Sequence, residues 1–561
     1  MNNATKYFVS RCNELLNQKT FDSYRVSLHN PVSIFRELEN TIKKFHNKQV
    51  KKYNPTITAI VGEAIQIAEN ECIGGVLELS NYKKHQVISI LSASAKDEKR
   101  IKSLSLLSRS LIRANNDFKF NLFREIESLL IANESVDIKK INCLSSWLMS
   151  ELIYTGYSRS FIKSRISKFS DSLNSGNALQ PAFVKFRCTL NHGPETYRVI
   201  FKIKLSQKDA FRVNSGSLSV LDEFPGQFRE NDRIKKSFRS LKADELYISI
   251  SIDAFDFKEA VKDSYQRISE IIDINILHQS VNTIVFEKQA FAYHLSSRRF
   301  RMEPLEELLD GFYTYQEQEF ERFAQNYTTV TEGTSSREKL RSAIRFYKLG
   351  NESAELEHKI LNYWIGFEQL YSSEYTDEDS INRIKNFFIA LNSSFYIQRR
   401  ANYLIDTLNR FAITLEGKSI EKSHLFSHAT MEVIKSASVD DPLAFHRLEK
   451  YIELFYGKKT IQKSLERHST RLEQHLTRIY RIRNEVVHEG RASANLELVA
   501  GHLRHYLLFS IEQITHALAE NPVLENLDDV FVCFENLFEQ VKTAENIQQV
   551  FNICDYKGYM E

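Results

Sequence analysis

Apolar residues recur at steps of three and four along most of this 561-residue chain, which is the spacing of a helix with one buried face. A clear case is ESAELEHKILNYWIGFEQLYSS (352–373), in which Glu368 lies beside the apolar stripe. The stripe consists of Leu356, Ile360, Trp364, Phe367 and Leu370. Only 17 Gly and 8 Pro interrupt such runs in the whole chain. The sequence therefore predicts a mainly α fold.

One region departs from the helical period. Apolar and polar residues alternate in ELYISISID, and the other β-rich runs are FVKFRCTL, TYRVIFKIKL and NTIVFEKQAFAYHL. FKEAVKDSYQRISEII has the spacing of an amphipathic helix between them. We therefore predict three domains: a helical domain over 1–180 with a sensing or regulatory role, a small α+β domain over 181–305, and an all-α helical bundle over 310–561.

Charge and cysteine content narrow the class of protein. The net charge is +3, from 75 Lys and Arg against 72 Asp and Glu, so a nucleic-acid role requires a local basic patch. The six cysteines form no Cys-x-x-Cys pair, as expected for reduced intracellular thiols. No uncharged apolar run approaches the ~20 residues of a membrane helix. We expect a cytoplasmic protein with no membrane partner.

The stretch RIRNEVVHEG (481–490) ends the longest helical pattern. A second amphipathic run follows at 495–520, and the two helices should pack antiparallel. On a helical wheel Arg483 falls within about 40° of Ile479, inside the predicted buried stripe. Burying an unpaired guanidinium costs several kcal/mol. Arg483 should therefore pair with a carboxylate, Glu368 being the candidate, or reach a phosphate between two subunits.

His488 lies about 140° further round this helix than Arg483 and ~7.5 Å further along it. Arg481, Asn484 and His488 share a face more naturally. A histidine at a helix C-terminus is also an ordinary cap, because the helix dipole favours positive charge there. A single straight helix does not bring Arg483 and His488 together, whereas a bend or the crossing of two copies would.

The Arg-Asn-x-x-x-His pattern at the end of a long helix resembles the signature of the HEPN superfamily, and LNYWIGFEQLYSS looks like the first helix of its ApeA-like branch. The resemblance spans about 340–520. It implies a helical domain that dimerises through the C-terminal motif helices and cleaves RNA with neither metal nor other cofactor. Arg483, Asn484 and His488 would be its catalytic residues. It further implies a bacterial anti-phage or toxin-type effector, with abortive infection as the outcome and a phage-derived trigger.

A local basic patch is the second indication of an RNA partner. Seven Lys or Arg and four Glu fall within 461–491. We expect Arg478, Arg481 and Arg491 to bind RNA. The outer charges of this patch are equally typical of a solvated helix face with pairs such as Arg481 and Glu485.

Two other interpretations stay open. The helical domain could be a non-catalytic dimerisation or RNA-binding scaffold in which Glu368 holds Arg483, or an adaptor for a nucleotidyltransferase. Several weaker motifs are set aside. AITLEGKS (412–419) lacks the small residues and the strand of a phosphate-binding loop. The pairs His424 with His428 and His502 with His505 lack a third metal ligand, so we predict no metal site and expect surface histidines.

Overall fold

The computed structural model describes residues 1–17, 29–47, 53–79, 82–132, 137–205, 218–276, 284–305, 317–353, 355–372, 379–490, 496–521, 523–524 and 526–555. Helices dominate these ranges, and strands form one five-stranded antiparallel sheet and one two-stranded hairpin. The predicted mainly α fold is confirmed. No helix within the described ranges has the length and apolar character needed to cross a membrane.

The chain divides into two compact units. The first joins Met1–Glu151 to Gly311–Glu561, and the second is Leu152–Asp310. Helices from the predicted ranges 1–180 and 310–561 thus share one unit. A periodic pattern shows that a helix has a buried face, but it does not show which distant segment covers that face.

A series of helices forms the N-terminal part of the first unit. They are α1 (Asn3–Leu15), α2 (Ser33–His46), α3 (Tyr53–Glu69), α4 (Lys84–Lys96), α5 (Ile101–Ala114), α6 (Phe118–Ala132) and α7 (Ile138–Thr155). Short 3₁₀ turns lie at Glu71–Ile73 and Glu98–Arg100. Helix α3 packs against α2 and α4, and α2 packs against α5.

The C-terminal part of the first unit contains the other described helices of that unit. They are α13 (Glu317–Thr329), α14 (Ser335–Glu352), α15 (Leu356–Tyr371), α16 (Ser380–Arg383), α17 (Ile389–Ser394), α18 (Tyr396–Arg410), α19 (His428–Ala437), α20 (Pro442–Phe455), α21 (Lys458–Glu489), α22 (Leu496–Glu520), α23 (Leu527–Thr543) and α24 (Ile547–Cys554). A π turn (Ile384–Phe388) joins α16 to α17, and a 3₁₀ turn covers Lys422–Phe426. The predicted stripe of α15 lies in the hydrophobic core that these helices share. Ile360, Trp364, Phe367 and Leu370 are buried in this core, and Leu356 packs against it.

The second unit surrounds the sheet. Its helices are α8 (Arg159–Asn174), α9 (Leu179–Thr189), α10 (Gly226–Arg229), α11 (Lys236–Arg239) and α12 (Phe257–Ile276), and its strands are β1 (Glu195–Leu205), β2 (Leu218–Leu221), β3 (Glu245–Ala254), β4 (Ile284–His294) and β5 (Phe300–Pro304). The strand order is β2-β3-β1-β4-β5, and every pair is antiparallel. Helix α12 covers one face, while aromatic residues of α10 and α11 pack on the other.

One predicted strand is wrong. FVKFRCTL lies in helix α9, which buries Ala182, Phe183 and Phe186 on one side. The short run reads as an alternation, but its buried residues are spaced one and three apart, as on a helix. Pro181 lies in the first turn of α9, where its missing N–H breaks no helical hydrogen bond. The strands predicted at TYRVIFKIKL, ELYISISID and NTIVFEKQAFAYHL are present as β1, β3 and β4, the last over Ile284–His294.

Candidate functional site

Helix α21 carries the predicted motif in its last two turns. The helix ends at Glu489 because Gly490 adopts a left-handed conformation with φ 71°, and its N–H donates to the Val486 carbonyl at 3.0 Å. Glycine reaches this conformation without the steric cost that a side chain brings. His488 therefore lies in the terminal turn, where the helix dipole favours positive charge.

One face of this segment is buried against α2 and α3. Arg478 donates to Glu37 at 3.0 Å through Nε and to Glu63 at 2.6 Å through Nη2. Arg481 pairs with Glu37 through Nη2 and donates to the Thr41 hydroxyl at 3.1 Å through Nη1. The two arginines are only 6% and 8% exposed. Both guanidinium groups are therefore paired with carboxylates of the N-terminal helices α2 and α3.

The positive and negative charges of these ion pairs stabilise one another. Burial raises the pKa of Glu37, but the guanidinium groups of Arg478 and Arg481 outweigh it and hold that pKa well below its usual value. Lys44 extends the network from α2, with its Nζ 2.8 Å from Glu485 Oε2 on α21. The network fixes α21 against the N-terminal helices.

The RNA-binding roles expected for Arg478 and Arg481 are corrected by these contacts. Both guanidinium groups are buried and paired with Glu37, so a phosphate would have to displace this mostly buried carboxylate and leave it without its partners. The third expected RNA-binding residue, Arg491, lies outside the described residues. The positive charges of Arg478 and Arg481 are therefore balanced by carboxylates of the same unit, whereas Lys463, Arg467 and Arg471 are exposed.

The opposite face of the last turns reaches solvent, and it contains all three predicted catalytic residues. Tyr480, Arg483 and Asn484 are half-buried, and Val487 and His488 are exposed. Their spacing of three, four, seven and eight residues from Tyr480 places them in one stripe about 140° wide. Val487 is 50% exposed, an apolar side chain between the polar ones. We call these five residues the exposed stripe of α21.

Arg483 lies at one edge of the exposed stripe. The expectation that it belongs to the buried stripe of the helix is therefore wrong. The wheel placed it near Ile479, but α2 and α3 cover the flank with Arg478 and Arg481 and leave Arg483 at the boundary. Its Nη1 donates to Asn484 Oδ1 at 2.9 Å. Its Nη2 lies 3.6 Å from Glu368 Oε2, and the two side chains are 26% and 23% exposed.

The contact with Glu368 is therefore a long, partly solvated ion pair. Glu368 also accepts a hydrogen bond from the Ser380 hydroxyl at 3.1 Å. The buried Nε of the Arg483 guanidinium has no hydrogen-bond partner among the described residues. The arginine retains donors that a bound anion could use.

His488 lies at the other edge of the exposed stripe. Within the described ranges it forms no hydrogen bond or ion pair, and no contact joins it to Arg483. A single chain thus presents Arg483, Asn484 and His488 to solvent on one face without assembling them around one point. A complete site requires a second group of residues facing this stripe.

A histidine cluster in the same helical bundle was not predicted from the sequence. His475 Nδ1 on α21 lies 2.8 Å from the Tyr506 hydroxyl on α22, and its Nε2 lies 2.9 Å from His502 Nδ1. His502 is buried, so the expectation of surface histidines fails there. The spacing of His502 and His505 gave no sign of this contact, because His475 belongs to another helix.

The other discounted motif has a simple local structure. AITLEGKS forms a two-stranded hairpin of β6 (Thr414–Leu415) and β7 (Lys418–Ser419), with Glu416 and Gly417 at positive φ in the turn. A phosphate-binding loop instead links a strand to a following helix.

Comparisons of this chain with protein-family models, curated proteins and solved structures find no match. The resemblance to the HEPN superfamily accordingly stays a prediction from the motif and its helical setting.

Proposed function

We propose that the protein is a metal-independent endoribonuclease whose site is the exposed stripe of α21. The observation that supports it is the placement of Arg483, Asn484 and His488 together on the solvent-facing side of the last turns of α21, where the neighbouring Arg478 and Arg481 are buried. By its resemblance, such an enzyme would be a bacterial anti-phage or toxin-type effector.

The residue types suit the chemistry of RNA cleavage. A ribose 2′-hydroxyl must lose a proton, the phosphate must carry extra negative charge, and the 5′-oxygen must gain a proton. Histidine exchanges protons near neutral pH, which contributes about 10²–10⁴-fold. Arginine stays charged and offers a fork of donors to phosphate oxygens. His488 would exchange protons, Arg483 would bind the phosphate and Asn484 would orient Arg483.

A homodimer completes this site. Arg483 and His488 lie at opposite edges of the stripe, so the stripe of a second copy facing it would bring Arg483 of one chain near His488 of the other. Val487 supplies an exposed apolar side chain at the centre of that contact. A two-fold axis through this face makes two equivalent sites.

The test is RNA cleavage in EDTA by the wild type and by His488→Ala. We expect products ending in a 2′,3′-cyclic phosphate and a 5′-hydroxyl, and loss of at least ~100-fold in rate for the variant. His85→Ala is the matched control, because His85 is an exposed helical histidine outside the stripe. Equal cleavage by His488→Ala and His85→Ala would remove His488 from the mechanism.

The second candidate is a non-catalytic dimerisation or RNA-binding scaffold. The pairing of Arg483 with Glu368 at 3.6 Å favours it, because that contact gives Arg483 a structural role. The scaffold predicts RNA binding or dimerisation with no cleavage under any condition. Glu368→Gln distinguishes the two candidate functions. If the protein is an enzyme, the substitution frees Arg483 to bind phosphate. If it is a scaffold, the substitution only destabilises the fold.

A further inference from the structure

A cavity of about 240 Å³ lies within the second unit, away from the exposed stripe of α21 in sequence and built by different residues. The first turn of α8, the start of α12 and strands β1, β4 and β5 all contribute to its wall. Its size is just below the range of ~300–1,000 Å³ typical of small-molecule sites. It suits one small ligand rather than a folded chain.

Three arginines converge on this cavity: Arg165 from α8, and Arg299 and Arg301 from the β4–β5 hairpin. Burial and then the charges of Arg301 and Arg299 lower the pKa of Arg165. The three cations therefore lie close enough to repel one another. Such an arrangement is stabilised when an anion enters.

Carboxylates also line the cavity, and two of them contact groups other than these arginines. Asp256 accepts from the Ser158 N–H at 2.8 Å, the Ser158 hydroxyl at 2.9 Å and the Lys258 N–H at 3.0 Å. Glu195 lies 3.0 Å from His294 Nε2. Glu303 lies 3.8 Å from Arg301, and the charge of Asp256 acts on Arg165.

Arg165 and Arg299 consequently keep free donors. Arg165 stacks over the ring of Phe161 at 4.3 Å, which fixes its guanidinium, and its buried Nε has no hydrogen-bond partner among the described residues. The exposed side chain of Arg299 has no ion pair there either. A phosphate monoester carries up to two negative charges and several acceptor oxygens, which matches two or three guanidinium forks.

Aromatic rings form another part of the wall, together with polar residues such as Ser160 and Lys258. Phe161, Tyr197, Phe255 and Phe257 line the cavity beside the arginines. Flat apolar walls next to cations suit a planar ring joined to an anion. We propose that this cavity binds a single 5′-phosphorylated nucleotide, free or at the end of an oligonucleotide, with Arg165 and Arg299 on its phosphate and the ring against the aromatic wall.

Calorimetric titration of the full-length protein tests this site. We expect at least one of the four nucleoside 5′-monophosphates to bind, and the matching nucleoside and inorganic phosphate each to bind at least ~10-fold more weakly. A 5′-phosphorylated deoxytetranucleotide, compared with its 5′-hydroxyl form, distinguishes an oligonucleotide end from a free nucleotide. Equal affinity for inorganic phosphate, or no binding of any phosphorylated form, would overturn the proposal.

Variants assign the binding to the arginines. Arg165→Ala and Arg299→Ala should each weaken binding at least ~10-fold, because each removes a charged phosphate contact. Arg267→Ala is the matched control: it removes the same charge from an exposed position of α12 outside the cavity. Unchanged binding in Arg299→Ala, whose exposed side chain leaves the fold intact, would overturn the assignment. The nucleoside monophosphates and the deoxytetranucleotide are not RNA substrates, so these binding results are independent of the proposed ribonuclease activity.

Discussion

Arg478 and Arg483 lie five residues apart on α21 and have opposite relations to the protein. Arg478→Ala would leave the mostly buried carboxylates of Glu37 and Glu63 with fewer partners, so we expect a loss of about 2–4 kcal/mol in the free energy of unfolding. Arg483→Ala removes a half-exposed ion pair worth about 0–1 kcal/mol. Urea denaturation of the two variants measures both. Equal destabilisation would contradict the assignment of one arginine to the interior and the other to the exposed stripe.

Glu37 makes the stability depend on pH. Its pKa in the folded protein lies well below the ordinary value of 4.5, so its contribution is present above that value and is lost as the pH falls towards the folded pKa. Glu37→Gln should therefore be less stable than the wild type at pH 7, and the difference should shrink below about pH 4.5. Urea denaturation at pH 7 and pH 3.5 measures it. A difference that stays constant across this range would show that the Glu37 charge is not the cause.

At the scale of elements, Gly490 decides where α21 stops. A side chain at its φ of 71° costs about 1–2 kcal/mol, although a Cβ there would meet no neighbouring atom. Gly490→Ala should therefore destabilise the protein by about that amount. Gly193→Ala is the control, since it also lies in open space but without a positive φ. Thermal unfolding compares the two, and an equal effect would remove the backbone explanation.

Gly350 is constrained by packing instead. It lies in α14 where this helix crosses α15, and a Cβ would fall 2.3 Å from the Tyr363 ring. Gly350→Ala must displace that buried ring, so we expect a loss of about 1–3 kcal/mol in the free energy of unfolding. Chemical denaturation measures the loss. Wild-type stability would mean that the two helices separate without cost.

Elements differ in how well the sequence predicts them. The stripe of α15 and the alternation of β3 extend over enough residues for the period to be unambiguous. FVKFRCTL is too short, and its aromatic residues read equally well as strand or helix until Ala182 is recognised as part of the buried side. The face of α21 that reaches solvent is a similar case. Arg478 and Arg481 are charged residues that the sequence alone would assign to the surface. Their ion pairs with carboxylates allow both side chains to be buried.

At the scale of the molecule, the missing information is long-range pairing. Arg478 lies 441 residues from Glu37 and 415 from Glu63, so no local pattern links them. This pairing makes Met1–Glu151 part of the unit that contains the motif. We expect the fragment 311–561 expressed alone to be unfolded or aggregated, because its buried arginines and apolar face lose their cover. Co-expression with 1–151 should restore a folded complex, as judged by circular dichroism. A stable isolated fragment would contradict the shared core.

We propose that the exposed stripe of α21 forms an RNA-cutting site across two copies of the chain. Mixing Arg483→Ala with His488→Ala protein tests it most directly, since a mixed dimer retains one site with both residues intact. Each variant alone should be inactive, and an equilibrated mixture should regain about a quarter of wild-type cleavage in EDTA. A mixture that stays inactive while the wild type cleaves, or a wild type that does not cleave, would contradict the claim.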